Sequence, residues 1–270
     1  MLTVEWVQFS RDGRRILGDI DLKIGAGELV ALVGPNGAGK TTLLQLLSGE
    51  LKPQRGRVAL DGRSLQTILP LELARRRAVL PQSSHVVFGI TVAELVAIGR
   101  SAVSGSQGDD PVCAQVIAMM GLSEFASRDV RRLSGGEIQR VQFARVVAQV
   151  WPAPGDTASR FLLLDEPVSN LDPAFQESVL GWARRLADRG FGLAVTLHDL
   201  NHAARLADRV VLLDRGRIAQ SGPPEAVLNA EAVERVYGLP MVSVPHPRTG
   251  IPVLLPAHRD GAAPGQPRTE

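Results

Sequence analysis

Eight residues near the N-terminus have the types and spacing of a phosphate-binding loop, with the form G-x-x-x-x-G-K-[ST]. Glycines let backbone N–H groups turn toward an anion, and a following helix adds the positive end of its dipole. The lysine of such a loop reaches the β- and γ-phosphates of a nucleotide, and the final hydroxyl reaches Mg²⁺. The eight residues are Gly34, Pro35, Asn36, Gly37, Ala38, Gly39, Lys40 and Thr41.

The segments on either side of this loop fit the same interpretation. Residues 29–33 form an apolar run that predicts a buried strand, and residues 42–48 carry four leucines at helical spacing. Strand, glycine loop and helix are the setting that a phosphate-binding loop requires, whereas a glycine-rich turn without a ligand needs neither the lysine nor the threonine. We therefore expect residues 34–41, together with Thr42, to bind nucleotide phosphates.

Polar side chains are predicted at the ends of three other strands. Gln82 follows a short strand at 78–80, and His198 follows an apolar strand that ends at residue 197. Asp165 and Glu166 follow the apolar run 161–164. Parallel strands bring their carboxyl ends to one edge of a sheet, so Gln82, Asp165 and His198 are expected to converge on one γ-phosphate.

The acidic pair at the end of strand 161–164 has two different expected roles. An aspartate in this place supplies a contact to Mg²⁺ in phosphate-loop proteins, which we assign to Asp165. Glu166 is placed to act as general base on an attacking water. Without the phosphate loop, the pair would indicate a strand-end turn and His198 a surface or core histidine.

Alternation of these strands with helices predicts an α/β fold with a mostly parallel core sheet. Short strands around residues 2–9, 16–24 and 57–60 predict an antiparallel β-subdomain beside it. Helical spacing predominates from about 84 to 150, which predicts a helical subdomain.

Two capping boxes, Thr91 with Glu94 and Ser134 with Glu137, predict helix starts in this region. The first of these helices is expected to end at Gly99, before an exposed loop over residues 101–110. Nearer the C-terminus, residues 210–213 and 217–219 predict a hairpin, and residues 223–237 predict the last helix. We expect one domain over residues 1–256 and a disordered polar tail over 257–270.

Composition excludes several classes of protein. The net charge is +2, from 30 basic and 28 acidic side chains, which is too balanced to indicate nucleic-acid binding. No apolar run reaches the roughly 18 residues of a membrane span, and a signal peptide is not apparent, so we expect a cytosolic protein. The single cysteine, Cys113, excludes an intrachain disulfide and is expected in the core.

A further motif gives the chain a family resemblance. The sequence Leu-Ser-Gly-Gly-Glu at residues 133–137 resembles the signature of ABC transporter ATP-binding subunits, which other phosphate-loop ATPases lack. Gln82 matches the glutamine loop of that family, and residues 161–166 match its second Walker motif with the catalytic glutamate. Residues 169–172 match its D-loop, and His198 matches its switch histidine. The resemblance covers about residues 1–240.

The resemblance implies a mechanism, with ATP and Mg²⁺ as cofactors. Two ATPase subunits pair head to tail as a homodimer, and each ATP lies between the phosphate loop of one subunit and the signature of the other. It implies catalytic roles for Glu166 and His198, and a Mg²⁺ site at Thr41, Gln82 and Asp165. The residues implied at the dimer contact are Ser134, Gly135, Gly136, Glu137 and Asp172.

Within the family, the chain resembles the importers of iron–siderophore, cobalamin and haem. An insertion at 151–160 and the ending Val-Pro-His-Pro at 244–247 resemble the haemin-import group. This implies two transmembrane permease subunits, a periplasmic substrate-binding protein acting through them, and a peripheral place on the cytoplasmic face of the inner membrane. Import of a ferric siderophore or cobalamin is the alternative. A soluble ABC-type ATPase acting on nucleic acid ranks lower, because the chain lacks sustained heptads and a second phosphate loop.

Two further predictions stay open at the level of sequence. The family stacks adenine on an aromatic side chain after the first strand, where this chain has Arg11, so either Arg11 or Phe9 takes that role. Residues 83–88 include three apolar side chains that either receive a short helix of the permease or are buried at the start of the helical subdomain.

Overall fold

The structure is a computed structural model that describes residues 1–82, 89–104, 111–169 and 171–257, with the side chains of 102–104 left out. The segment 83–88, expected to meet a permease, lies outside the described residues. So do Asn170 of the D-loop match, residues 105–110 of the predicted exposed loop, and the predicted tail from 258 onward.

Twelve strands and nine α-helices make up the described part of the chain. The strands are β1 Leu2–Arg11, β2 Arg14–Ile24, β3 Leu29–Val33, β4 Arg55–Leu60, β5 Arg63–Ser64, β6 Arg77–Leu80, β7 Phe161–Leu164, β8 Gly192–Thr196, β9 Arg209–Asp214, β10 Arg217–Gly222, β11 Met241–Pro245 and β12 Pro252–Pro256. The helices are α1 Lys40–Ser48, α2 Pro70–Arg76, α3 Val92–Ser104, α4 Pro111–Met119, α5 Gly135–Val150, α6 Pro173–Asp188, α7 Leu200–Leu206, α8 Pro224–Val227 and α9 Ala230–Tyr237.

The α/β fold with a mostly parallel core sheet is confirmed. Six strands form this sheet in the order β10-β9-β3-β8-β7-β6, and only the β9–β10 pair is antiparallel. The predicted antiparallel β-subdomain is a four-stranded sheet in the order β2-β1-β4-β5. Asp12 and Gly13, both with positive φ, form the turn between β1 and β2, as an Asp-Gly pair favours.

Both faces of the core sheet are buried at its centre, which explains why strands β3 and β7 are apolar at every position. Leu29, Ala31 and Val33 of β3 belong to one core cluster, in which residues of α3, α4, α5 and α6 cover the sheet. Val30 and Leu32 belong to a second cluster with the leucines of α1 and the inner face of the antiparallel sheet. The strand that precedes the phosphate loop is therefore held firmly from both sides.

The helical segment begins at a capping box, as predicted. The Thr91 backbone N–H donates to Glu94 over 2.7 Å, and the Glu94 N–H donates to the Thr91 hydroxyl over 3.2 Å. The helix that follows, α3, extends to Ser104, so the prediction that it ends at Gly99 before an exposed loop was wrong. Cys113 of α4 is buried, with 8% of its surface exposed, as expected for a small core residue.

The C-terminal part differs most from the prediction. The helix expected over 223–237 is two helices, α8 and α9, because Asn229 leaves the helical conformation and caps the second. Helix α7 and the hairpin β11–β12 were not predicted. Pro245 and Pro252 face each other at the end of this two-stranded sheet, a position that proline tolerates.

None of the helices in the part of the chain that the structure describes has the length and apolar character needed to cross a lipid bilayer.

Candidate active site

The phosphate loop connects β3 to α1, and close contacts at two of its glycines account for the absence of side chains there. Gly34 has a φ of +150°, and a Cβ built on it would lie 2.3 Å from the Leu213 carbonyl oxygen of β9. Gly39, with a φ of +102°, would bring a Cβ within 2.5 Å of the Leu17 side chain. Only glycine fits both the conformation and the space at Gly34, because there the obstacle is backbone.

Lys40 is held inside the loop. Its ammonium group donates to the carbonyl oxygens of Gly34 over 2.7 Å and Pro35 over 3.1 Å. Only 6% of the residue is exposed. Burial lowers the pKa of Lys40 below its ordinary value of 10.5, and the charges of Glu166 and Asp165 oppose that shift. A buried cation without a directly bonded carboxylate suits an anionic ligand.

Asp165 lies beneath the loop and is connected to α1 and β8 by two threonines. The Thr196 hydroxyl donates to its Oδ1 over 2.7 Å, and the Thr41 hydroxyl lies 3.3 Å from the same oxygen. The backbone N–H of Glu166 in turn donates to the Thr196 hydroxyl over 2.7 Å. Sequence reasoning missed Thr196, although a hydroxyl at the end of the otherwise apolar strand β8 was a usable signal.

Glu166 is the meeting point of the side chains predicted to converge. Gln82 Nε2 donates to one of its carboxylate oxygens over 2.6 Å, and His198 Nε2 lies 2.5 Å from the other. The Glu166 side chain is largely buried, at 14% exposure, whereas that of His198 is about half exposed, at 49%. The structure therefore brings Gln82, Glu166 and His198 together, whereas the Asp165 carboxylate is buried against Thr41 and Thr196 and does not line the cleft.

These groups border an open cleft with a volume of about 1930 Å³. Neither of the two residues considered for adenine stacking lines it: Phe9 is buried in the second core cluster, and Arg11 is exposed elsewhere. The lining residues that were predicted are Pro35, Asn36, Gly37, Ala38, Gly39, Lys40, Thr41, Thr42, Gln82, Glu166 and His198. Those that were not predicted are Arg14, Arg15, Ile16, Asp214, Arg215 and Val236.

Tyr237, next to Val236 in α9, was also missed. Its hydroxyl is buried near the backbone of Gly34 but makes no hydrogen bond within ordinary distance and angle limits. Burial raises the pKa of this hydroxyl to about 12, and the Gly34 backbone opposes the shift. No pattern in the sequence pointed to this contact, because it depends on how α9 packs.

The signature residues lie apart from this cleft in the single chain. Ser134 caps α5 with a full capping box to Glu137, as predicted, and both Ser134 and Gly135 are exposed. Asp172 caps α6 by accepting from the N–H groups of Ala174 and Phe175. A Cβ built on Gly136, at the start of α5, would lie 3.1 Å from the ring of Phe175, at the start of α6. The first turns of these two helices are therefore in close contact. None of these residues lines the cleft around the phosphate loop.

A family model described as ABC transporter matches residues 17–169, which include the phosphate loop, the signature and Asp165–Glu166. The chain belongs to the ABC transporter ATP-binding family. It is 44% identical over 256 residues to the hemin import ATP-binding protein HmuV of Pseudomonas entomophila, covering 94% of this chain and 99% of that protein. It is 47% identical over 258 residues to the protein of the same name from Nocardia farcinica, covering 94% and 87%.

Solved structures of this family share the fold. A metal-chelate type ABC transporter in an inward-facing conformation superposes with a TM-score of 0.79 at 25% identity, covering 96% of this chain and 98% of that chain. The cbiO1 protein of Clostridium perfringens, part of the cbiONQ transporter complex, has a TM-score of 0.74 at 26% identity, covering 87% and 92%. The chain is thus an ATP-binding ABC ATPase domain.

Proposed function

We propose that this ABC ATPase hydrolyses ATP to energise a membrane importer of haemin. The hydrolytic part of the proposal is carried by one observation, the hydrogen bonding of the Glu166 carboxylate to Gln82 and His198 beside the buried Lys40. The haemin part is supported by relatives that bear the name hemin import ATP-binding protein and are 43–47% identical over most of their length.

The residues beneath the loop fit Mg²⁺ when it is brought by a nucleotide. Thr41, Gln82 and Asp165 offer a hydroxyl, an amide and a carboxylate oxygen, the hard ligands that this ion prefers. Within the described residues, no group of three or more His, Cys, Asp and Glu side chains is arranged to hold a metal. Three oxygen ligands from the protein leave coordination positions for phosphate oxygens and water, as Mg²⁺ bound with a nucleotide requires. The bound ion would neutralise charge on the β- and γ-phosphates.

The remaining roles follow from position. The loop N–H groups and Lys40 bind and orient the phosphates, and Glu166 accepts the proton of the attacking water. His198 and Gln82 hold the carboxylate of Glu166 in the cleft. In a head-to-tail homodimer, the exposed N-terminus of α5 with Ser134, Gly135, Gly136 and Glu137 would close over the γ-phosphate of the partner subunit, with Asp172 beside it.

The same proposal includes the partners and place of action. Two transmembrane permease subunits respond to closing and opening of the ATPase dimer, and a periplasmic substrate-binding protein delivers haemin to them. The dimer is peripheral on the cytoplasmic face of the inner membrane. Residues 83–88 are the proposed point of contact with the permease, and no nucleic acid takes part.

The substitution Glu166→Gln tests the hydrolytic mechanism. It removes the base but keeps the side-chain size, so we expect steady ATP turnover to fall by about 100-fold or more. Binding of ATP, measured with a fluorescent analogue, should be retained, and ATP should stabilise a dimer visible by size-exclusion chromatography. Glu225→Gln, at an exposed position of α8, is the matched control. Full turnover by the Glu166→Gln variant would remove Glu166 from its role.

The transported compound is tested in liposomes that contain the ATPase with its membrane subunit. A substrate-binding protein is added loaded with haem, with a ferric siderophore or with cobalamin, and ATP turnover is measured. Stimulation by haem alone supports the proposal. Stimulation by another compound favours the second candidate, a metal-chelate importer, which the similarity to a metal-chelate type transporter supports. If no loaded protein changes the rate, the importer proposal fails and a soluble ATPase is favoured.

A further inference from the structure

A short helix begins two residues after His198. Helix α7 begins at Leu200, and Asp199 caps it by accepting from the N–H of Asn201 over 2.7 Å and of His202 over 3.2 Å. Only one residue separates His198 from the first turn of α7. The position of the imidazole beside Glu166 therefore depends on where the N-terminus of α7 lies as well as on the end of β8.

The side chain of Asn201 fastens this first turn to the C-terminal hairpin. Its Nδ2 donates to the Leu254 carbonyl oxygen over 3.2 Å, and its Oδ1 accepts from the Leu254 N–H over 2.8 Å. The amide thus pairs with both backbone groups of one residue of β12, as a neighbouring strand would. Among the described residues, no other hydrogen bond joins the hairpin to α7.

The hairpin itself has a fixed place on the molecule. The Leu254 side chain is 2% exposed and belongs to the core cluster that covers the sheet carrying β3, β7 and β8. The Ala257 N–H donates to the Pro240 carbonyl oxygen over 2.8 Å and closes the base of the hairpin. Asn201 therefore connects α7 to Leu254, whose side chain is packed in the same core as the strands that precede Glu166 and His198.

We propose that Asn201 is a positioning residue for ATP hydrolysis, which holds His198 against Glu166 by pairing with Leu254 of the hairpin. This inference rests on the roles proposed above for His198 and Glu166. The hairpin and Asn201 both lie beyond residue 169, where the match to the family model ends. The C-terminal hairpin is then part of the hydrolytic machinery, although it lies outside the nucleotide cleft.

Steady-state ATP hydrolysis by Asn201→Ala tests this inference. The substitution removes both hydrogen bonds to Leu254, so the first turn of α7 can shift while the phosphate loop is untouched. We expect kcat to fall roughly 10-fold to 100-fold, because small displacements of a catalytic group are costly, with KM for ATP unchanged. Asn201→Ser, whose side chain is too short to reach both groups of Leu254, should give the same pattern if the alanine variant is poorly folded.

Asn229→Ala is the matched control for a loss of stability alone. Asn229 also makes two hydrogen bonds to backbone, donating to Ala226 and accepting from Ala232, each over 2.9 Å, and neither bond involves α7. The Asn229→Ala substitution should lower the melting temperature about as much as Asn201→Ala does, and it should leave kcat unchanged. A fall in kcat equal to that of Asn201→Ala would overturn the positioning role.

The double variant Asn201→Ala/His198→Ala decides whether Asn201 acts through His198. If it does, the alanine at 201 lowers kcat no further once His198 is absent. An undiminished further loss would overturn the inference and leave the proposed function intact. If His198→Ala alone leaves kcat unchanged, the role of His198 in the proposed function is wrong, and the inference falls with it. A loss with His198→Ala and none with Asn201→Ala overturns only the positioning role.

Discussion

The backbone at Glu166, two residues after the end of β7, has a conformation that is unusual for a residue with a side chain. Its φ is +48°, in the left-handed region, which costs a residue with a side chain about 1 to 3 kcal/mol. Hydrogen bonds to the surroundings offset that cost, since Thr196 receives the Glu166 N–H and Ser169 donates to its carbonyl oxygen. The turn directs the carboxylate into the cleft, toward Gln82 and His198. Strain at a single residue is thus used to aim the proposed general base.

The buried ammonium group of Lys40 gives a prediction about pH. Because its pKa is lowered in the folded protein, charging Lys40 weakens folding at pH values below that lowered pKa. The effect disappears as the pH rises through the lowered pKa toward 10.5, the ordinary value. Urea unfolding of the nucleotide-free protein and of Lys40→Met should therefore show the wild type gaining stability relative to the variant between pH 7 and pH 10.

The same variant should bind ATP far more weakly at both pH values, because the cation that meets the β- and γ-phosphates is gone. Lys52→Met, at an exposed position, serves as the control and should change neither property. A stability difference that stays constant with pH would show that Lys40 keeps an ordinary pKa in the folded protein.

At the scale of elements, the helices and strands that could be predicted from the sequence are those marked by several neighbouring residues. Strands β3 and β7 have the predicted bounds, because a short apolar run is closed on both sides by polar residues or glycine. The starts of α3 and α5 were predicted correctly, since a capping box is a pattern of four neighbouring residues. Helix α7 has seven residues and depends on tertiary contacts such as the Asn201–Leu254 pair, which no local pattern reveals.

The candidate site divides in the same way. The residues of the phosphate loop, Glu166 and His198 belong to sequence motifs, and the structure places them around one cleft. Tyr237 and Arg14 reach the site through the packing of α9 and β2, and no recognisable spacing marks them in the sequence. Thr196 was marked only by its hydroxyl at the end of the otherwise apolar strand β8. Strand order also limits prediction, because β9 joins the parallel sheet beside β3 although it was expected only in a hairpin with β10.

Helices α3 and α5 begin with the same type of capping box, so a pair of cap variants can distinguish an effect on stability from an effect on nucleotide contact. Thr91→Ala removes the cap of α3, and Ser134→Ala removes the cap of α5. Each should lower the free energy of unfolding by about 1 kcal/mol, measured by urea titration. Only Ser134→Ala should also reduce ATP turnover, because Ser134 is proposed to face the nucleotide of the partner subunit. Equal turnover losses in both variants would attribute the effect to cap loss.

At the scale of the whole molecule, the signature lies apart from the cleft that it is proposed to complete. Lys40→Ala and Ser134→Arg should each inactivate the proposed homodimer. An equimolar mixture of the two should regain part of the turnover, since a mixed head-to-tail dimer has one site with an intact loop and an intact signature. The measurement is ATP hydrolysis by the mixture compared with each variant alone.

A mixture of Lys40→Ala with the double variant Lys40→Ala/Ser134→Arg is the matched control, because no mixed dimer then contains an intact site. No gain in the first mixture would indicate that each signature serves the nucleotide of its own chain.

The buried position of Cys113 makes this ATPase convenient for labelling. It is the only cysteine of the chain and is shielded inside α4, so thiol reagents should spare it in the native protein. Cysteines introduced at Lys52, after α1, and at Glu124, in the helical segment, would both be exposed. Paired fluorophores or spin labels at these positions would report whether the distance between the helical segment and the core sheet changes when ATP binds and is hydrolysed, without first removing a native thiol.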